Sequence, residues 1–121
     1  MLSVAGPHAI PVSTATRASG DRIVFALARR RDTLARLRED PRAALCLLGG
    51  GIAFTAVGEV RVVREELGAS PHVAALELRV TRVQDHLADG RTEMIDGARW
   101  SFTSDDAREA DAALREELAG L

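Results

Sequence analysis

The chain contains no lysine, no tyrosine and no asparagine. Without lysine there is no Schiff-base chemistry and no lysine general base; all 16 basic residues are arginine. Aromatic residues make up 3% of the chain and hydrophobic residues 46%. The core must therefore be built from Val, Leu, Ile and Ala. Such a core is thin on large side chains and gains from dimerisation. The single cysteine, Cys46, excludes an intramolecular disulfide, a redox thiol pair and a thiolate zinc site. It lies in an apolar run and reads as a small buried hydrophobe. His8, His72 and His86 have no metal-ligand spacing, so no metal is expected. No run reaches the roughly 18 apolar residues of a membrane span. The opening MLSVAGPH lacks a basic segment followed by an apolar one, so no signal peptide is expected and the expectation is a soluble cytoplasmic protein. A formal net charge of −2 gives no global basic bias, so nucleic acid is not an expected partner. Ser13 and Thr14 have no acid and base nearby to make a hydrolytic triad, and no catalytic residue stands out.

What is present is organised around Ile23–Leu48, which reads strand, short helix, strand. Ile23–Ala28 is an apolar run of strand length. Arg29–Asp32 is a polar break. Thr33–Glu39 places Leu34 and Leu37 on one face of a helical turn. Asp40-Pro41 stops that helix, because a residue before proline is pushed out of the α region. Arg42–Leu48 is a second apolar run. Arg29, Arg30 and Arg31 sit just before the helix start, which already carries a partial positive charge and unpaired N–H groups. Three more cations there repel it unless an anion lies among them, so the position is a candidate phosphate site. The bland alternative is a solvated loop face; Arg36 and Arg38 read as partners of Glu39 or Asp40, or as solvent-facing.

Around this stretch, Met1–Ala5 resembles the remnant of a strand, and Gly6-Pro7 marks a turn. His8–Ala15 alternates as a strand, with Pro11 signalling a free edge, a bulge or a ligand. Ser19-Gly20-Asp21 reads as a hairpin turn. Ile52–Arg64 is a long strand whose Gly58 signals a bend, a bulge or the close approach of another backbone. His72–His86 is another, with Ala74, Leu76, Leu78 and Val80 on one face and Glu77, Arg79 and Thr81 on the other. Ala98–Phe102 is a short strand; its Trp100 reads as a core or dimer-interface anchor. Thr103 or Ser104 caps a terminal helix striped by Ala107, Ala110, Leu114 and Leu118. About six strands, one short internal helix and a terminal helix predict a mainly β fold, a six-stranded split β-barrel forming one domain over residues 1–121.

Four features resemble the FMN-binding split-barrel family, which includes pyridoxamine 5′-phosphate oxidase and the deazaflavin-dependent reductases. They are G-P-H-A-I-P-V-S at Gly6–Ser13, I-V-F-A-L-A followed by a polar loop and short helix, L-R-E-D-P-R-A-A-L at Leu37–Leu45, and the Val57, Gly58, Glu59, Val60 run. The resemblance implies a homodimer with two cofactor sites at its interface, and FMN or a deazaflavin as cofactor. It also implies that Pro11, Val12 and Ser13 present backbone to the ring. Leu27 and Ala28 would pass beneath it, and Arg29, Arg30, Arg31 and Thr33 would surround the phosphate. Many members carry a lysine where this chain has Thr33, and an asparagine where it has Arg36. The implied activity is a flavin- or deazaflavin-dependent oxidoreductase passing hydride to or from a small molecule. The alternatives are a non-catalytic module that binds or senses a flavin, deazaflavin or haem-like ligand, and a barrel that has lost its cofactor and acts as an interaction scaffold.

Overall fold

The computed structural model describes residues 1–121. The elements in order are β1 (Leu2–Val4), β2 (His8–Ile10), β3 (Ala15–Ser19), β4 (Arg22–Ala28), α1 (Asp32–Glu39), β5 (Arg42–Gly49), β6 (Ile52–Arg64), β7 (Val73–Asp85) and α2 (Asp105–Ala119). The strands form one antiparallel sheet in the order β2-β1-β5-β6-β7-β4-β3. Its edge strands, β2 and β3, are consecutive in the chain and joined only by Pro11, Val12, Ser13 and Thr14. In a flat sheet those edges would stand about 29 Å apart, six steps of about 4.8 Å. The link from Ile10 to Ala15 reaches at most about 18 Å. The sheet must therefore curl, and it closes as a barrel split where a link, not a ladder, joins its edges.

Seven strands form where six are expected. Met1–Ala5 supplies β1, which pairs with β2 and β5. The His8–Ala15 run breaks at Pro11, which cannot donate to a ladder, so it contributes β2 and the start of β3. Ala98–Phe102 forms no strand. Its alternation is too short to hold an edge without a pairing partner. The internal helix begins at Asp32, one residue earlier than the pattern predicts. Leu34 and Leu37 on that helix plug one end of the barrel and join Leu2, Phe25, Leu45 and Leu76 in the main core.

β4 and the first half of β7 are apolar on both faces because both faces are covered. Phe25, Leu27, Ala74, Leu76 and Leu78 point into the barrel, while Val24 and Ala75 pack outward on Leu67 and on Leu118 of α2. Leu114 borders this outer cluster, but Ala110, expected in the same stripe, is exposed. No helix is long and apolar enough to cross a membrane.

β7 departs from the expected polar face at Glu77, which is 1% exposed. It lies in the outward row, under the carboxyl end of α2, and three arginines converge on it. Arg22 approaches to 2.6 Å, Arg61 to 3.2 Å and Arg79 to 3.5 Å. Arg22 also donates to the Leu121 carbonyl at 3.3 Å. Burial pushes the Glu77 carboxyl up, but hydrogen bonds and charge from Arg22 and Arg61 outweigh it and hold the group at about 2.

Gly58 sits at a bulge between β6 and β7, where a Cβ would overlap the Arg79 carbonyl. This is the close backbone approach that a glycine in mid-strand signals. Gly58→Ala is expected to lower unfolding free energy by about 2 kcal/mol through overpacking, measured by urea titration. Glu77→Gln is expected to cost about 3 kcal/mol at pH 7, because it removes the buried carboxylate on which Arg22, Arg61 and Arg79 converge. The depressed carboxyl gives a sign to the pH dependence. Its contribution is full above its ordinary value of 4.5 and is lost as pH falls from there through about 2. The gap between wild type and Glu77→Gln should therefore narrow steadily from pH 5 to pH 2.5. A constant gap would refute the ion-pair account.

Candidate functional site

β4 ends where the Arg29 N–H donates to the His72 carbonyl at 2.9 Å. The chain then turns, with the Arg31 N–H on the Ala28 carbonyl at 3.1 Å, and enters α1. Arg31 is the cap residue of that helix, extended in backbone and without a side-chain capping bond. Arg29, Arg30 and Arg31 are all exposed. They line an open hollow of about 510 Å³ with Leu34, Ala35, Arg38 and Glu65. Arg29 is tied down, donating to Glu66 at 2.8 Å and to the Pro71 carbonyl at 3.2 Å. Arg38 donates to Glu65 at 2.6 Å, not to Glu39 or Asp40, and that bond holds the Glu65 carboxyl below its ordinary value. Arg36 reaches Asp32 at 2.7 Å and the Gly6 carbonyl at 2.8 Å. Arg30 and Arg31 have no ion pair within the chain.

Thr33 is turned away from this hollow. It is buried, and its hydroxyl shares a 2.8 Å hydrogen bond with His8 Nε2. Leu27 is part of the barrel core, and Ala28 is half-buried opposite Val73. No group of three or more His, Cys, Asp or Glu side chains converges as a metal ion requires.

Pro11, Val12 and Ser13 lie elsewhere, on one wall of an apolar groove of about 380 Å³. Leu45–Leu48 of β5, Ile52, Met1, Ala98 and Trp100 complete it. The groove shares no lining residue with the arginine hollow. Through Ala15, Leu45 and Leu47 it adjoins a second apolar cleft of about 350 Å³, bounded by Ile23, Phe54, Val80 and Val83. Leu48, Ile52 and Val83 are exposed along this trough. Neither the Val12 N–H nor the Ser13 N–H is bonded within the chain. Trp100 is 56% exposed at the rim, so it is not a core anchor. It stands edge-on to Phe102 at 4.9 Å. The segment carrying it crosses the β5–β6 turn. There the Gly51 N–H donates to the Met94 carbonyl at 2.8 Å, and Gly97 lies so close to the Leu48 carbonyl that no side chain fits.

Sequence reasoning missed the contacts that hold this wall. Arg115 of α2 donates to the Ser13 carbonyl at 2.6 Å and the Ala15 carbonyl at 3.2 Å, and pairs with Asp111 at 2.7 Å. Thr14 donates its hydroxyl to the other Asp111 oxygen. Burial pushes the Asp111 carboxyl up, but the Thr14 and Arg115 hydrogen bonds bring it below its ordinary value. The spacing of an aspartate and an arginine four apart was the only sequence signal, and such pairs are ordinary on exposed helix faces.

Two solved structures share this architecture. A protein of Listeria innocua assigned as a pyridoxamine 5′-phosphate oxidase superposes with a TM-score of 0.57 at 14% identity, over 70% of this chain and 84% of that one. HupZ of Group A Streptococcus superposes with a TM-score of 0.60 at 11% identity, over 79% of this chain and 86% of that one. At such identities the likeness is one of fold, and the chain shares the split-barrel fold of pyridoxamine 5′-phosphate oxidase-like proteins. No protein-family model and no curated protein sequence matches it.

Thr33→Val should lower stability by about 1 kcal/mol, because the half-buried His8 ring loses its partner. Guanidinium chloride titration checks the value. A change within 0.3 kcal/mol, roughly the scatter of a surface substitution, would mean that the bond contributes nothing.

Proposed function

We propose that this chain is a split-barrel oxidoreductase that holds FMN, or a deazaflavin in its place, and passes hydride to or from a small molecule. The observation that carries the reading is the groove of Pro11–Ser13. Its walls are apolar, and the backbone N–H groups of Val12 and Ser13, residues of one wall, have no partner within the chain. A flat ring system with carbonyl and ring-nitrogen acceptors on one edge suits such a place. Arg30 and Arg31 suit the phosphate, since neither is committed to a carboxylate in the chain and a guanidinium grips phosphate oxygens in pairs. Arg29 serves less well, because Glu66 already holds it. The Thr33 hydroxyl is engaged by His8 and leaves only backbone for that role. The groove and the arginine hollow are separate within one protomer. A site that uses both is then one completed across two protomers, as the homodimer reading requires.

The bound ring would supply the hydride chemistry. The residues of this chain orient and exclude water: Leu45 and Leu47 give an apolar floor, and Trp100 stands at the open side. None of the residues lining the groove is an aspartate, glutamate, histidine or arginine. The same fact favours one second reading, a module that binds or senses its ligand without turnover.

The test begins with the spectrum of the purified protein and with titration of FMN into the colourless form. Arg30→Ala combined with Arg31→Ala should weaken FMN binding by at least about tenfold while shifting unfolding free energy by less than about 0.5 kcal/mol. Unchanged affinity removes the phosphate assignment. Reduction of the bound cofactor by a nicotinamide nucleotide, with turnover on an acceptor, separates the oxidoreductase from the sensor. Gel filtration reports the dimer.

A further inference from the structure

The carbonyls of Ser13 and Ala15 are two residues apart in extended chain and point the same way, to the open side of β3. The Thr14 carbonyl points the other way and accepts from Ala26 at 3.0 Å, which fastens the link to β4. On the open side there is no further strand. The Arg115 guanidinium takes that place, bonded to both carbonyls at 2.6 and 3.2 Å. Asp111 fixes the guanidinium from behind at 2.7 Å and accepts the Thr14 hydroxyl with its second oxygen. The three residues held are Ser13, Thr14 and Ala15. Two of them, Ser13 and Ala15, form a wall of the apolar groove, and Ala15 is also a wall of the adjoining cleft.

We propose that Asp111 and Arg115 are positioning residues for the groove. Acting from α2, they replace a missing edge strand, fix the backbone of Ser13–Ala15, and so set the width of the pocket that receives the ring. Two features separate this from a plain helix anchor. The apolar anchors of α2, Leu114 and Leu118, pack elsewhere, against Val24, Leu67 and Ala75. Glu117 independently ties the helix to the Gly68 and Ala69 N–H groups, each at 2.9 Å. The helix is thus docked without the pair, and the pair is left to govern the link. The proposal rests on the reading of this groove as a cofactor site, but the conformational claim can be tested without cofactor.

The experiment compares wild type, Arg115→Ala, Arg115→Lys and Thr14→Val. In cofactor-free protein, amide exchange is followed by residue, and acrylamide quenching is read from Trp100, the only tryptophan and a residue of the same groove. Arg115→Ala should raise exchange selectively at Ala26, whose N–H donates to the Thr14 carbonyl, and increase Trp100 quenching. Titrated with FMN, it should bind about tenfold more weakly, since sub-ångström placement of a wall governs affinity. Arg115→Lys, which keeps the charge but cannot bridge both carbonyls and Asp111 at once, should recover only part of the loss. Thr14→Val should move all three readouts in the same direction by less, and it serves if Arg115→Ala does not fold. Unchanged local exchange and quenching in these variants overturns the proposal. A uniform rise across the whole sheet also overturns it, because the pair would then only anchor the helix. If wild type itself fails to bind FMN, the flavin reading falls alone, and exchange with quenching still decides the positioning role.

Discussion

Four residues between two edge strands govern this molecule. Pro11–Thr14 are too short to cross a flat seven-stranded sheet, so the sheet has to bend until its first and last strands meet. Every later feature inherits that closure. The interior it encloses is filled by Val, Leu and Ala with one Phe, and Leu34 and Leu37 of α1 join it. The same four residues make one backbone bond to the sheet, from the Ala26 N–H to the Thr14 carbonyl, and Pro11 has no N–H to give. The closure is therefore a seam with free backbone groups beside it, and the apolar groove lies along this seam.

A seam of this kind needs support from outside the sheet. α2 supplies it in two places with two chemistries. Near its middle, Asp111 and Arg115 cap the open side of Ser13–Ala15. At its end, the helix roofs the outer face, where Glu77 is buried under arginines. Between them, leucines make the dry contact with Val24 and Ala75. Charge is thus used inside the structure and not only on its surface, which fits a chain whose cations are all guanidinium. A planar group with several fixed donors can bridge two carbonyls or flank a carboxylate, and an ammonium does neither so well.

The split between groove and arginine hollow gives the functional reading its shape. A groove lined by no aspartate, glutamate, histidine or arginine leaves chemistry to whatever it binds. A pair of uncommitted arginines across the barrel end offers an anion grip but no contact with the ring site in the same chain. The exposed apolar trough of Leu48, Ile52 and Val83 lies between β5 and the end of β7.

Much of the fold was legible from local pattern alone. The apolar run of Ile23–Ala28, the proline after Asp40 and the full length of Ile52–Arg64 each fix an element through steric and periodic rules that need no partner. Gly58 announced its close backbone contact. The composition also settled what is absent, from lysine chemistry to a disulfide. Other features depended on neighbours distant in sequence. Glu77 alternates like a solvent-facing residue, and only the arrival of α2 and three arginines from β4, β6 and β7 buries it. Thr33 sits at a helix start like an anion ligand, until the barrel brings His8 to its hydroxyl. Ala98–Phe102 alternates like a strand but meets no edge to pair with. Asp111 and Arg115 look like an ordinary surface pair until closure places Ser13 and Ala15 beneath them. Sequence determines the elements because their rules act over a few residues. The tertiary structure alone decides the pairing of charges and the walls of the groove, because those depend on which distant segments the four-residue seam draws together.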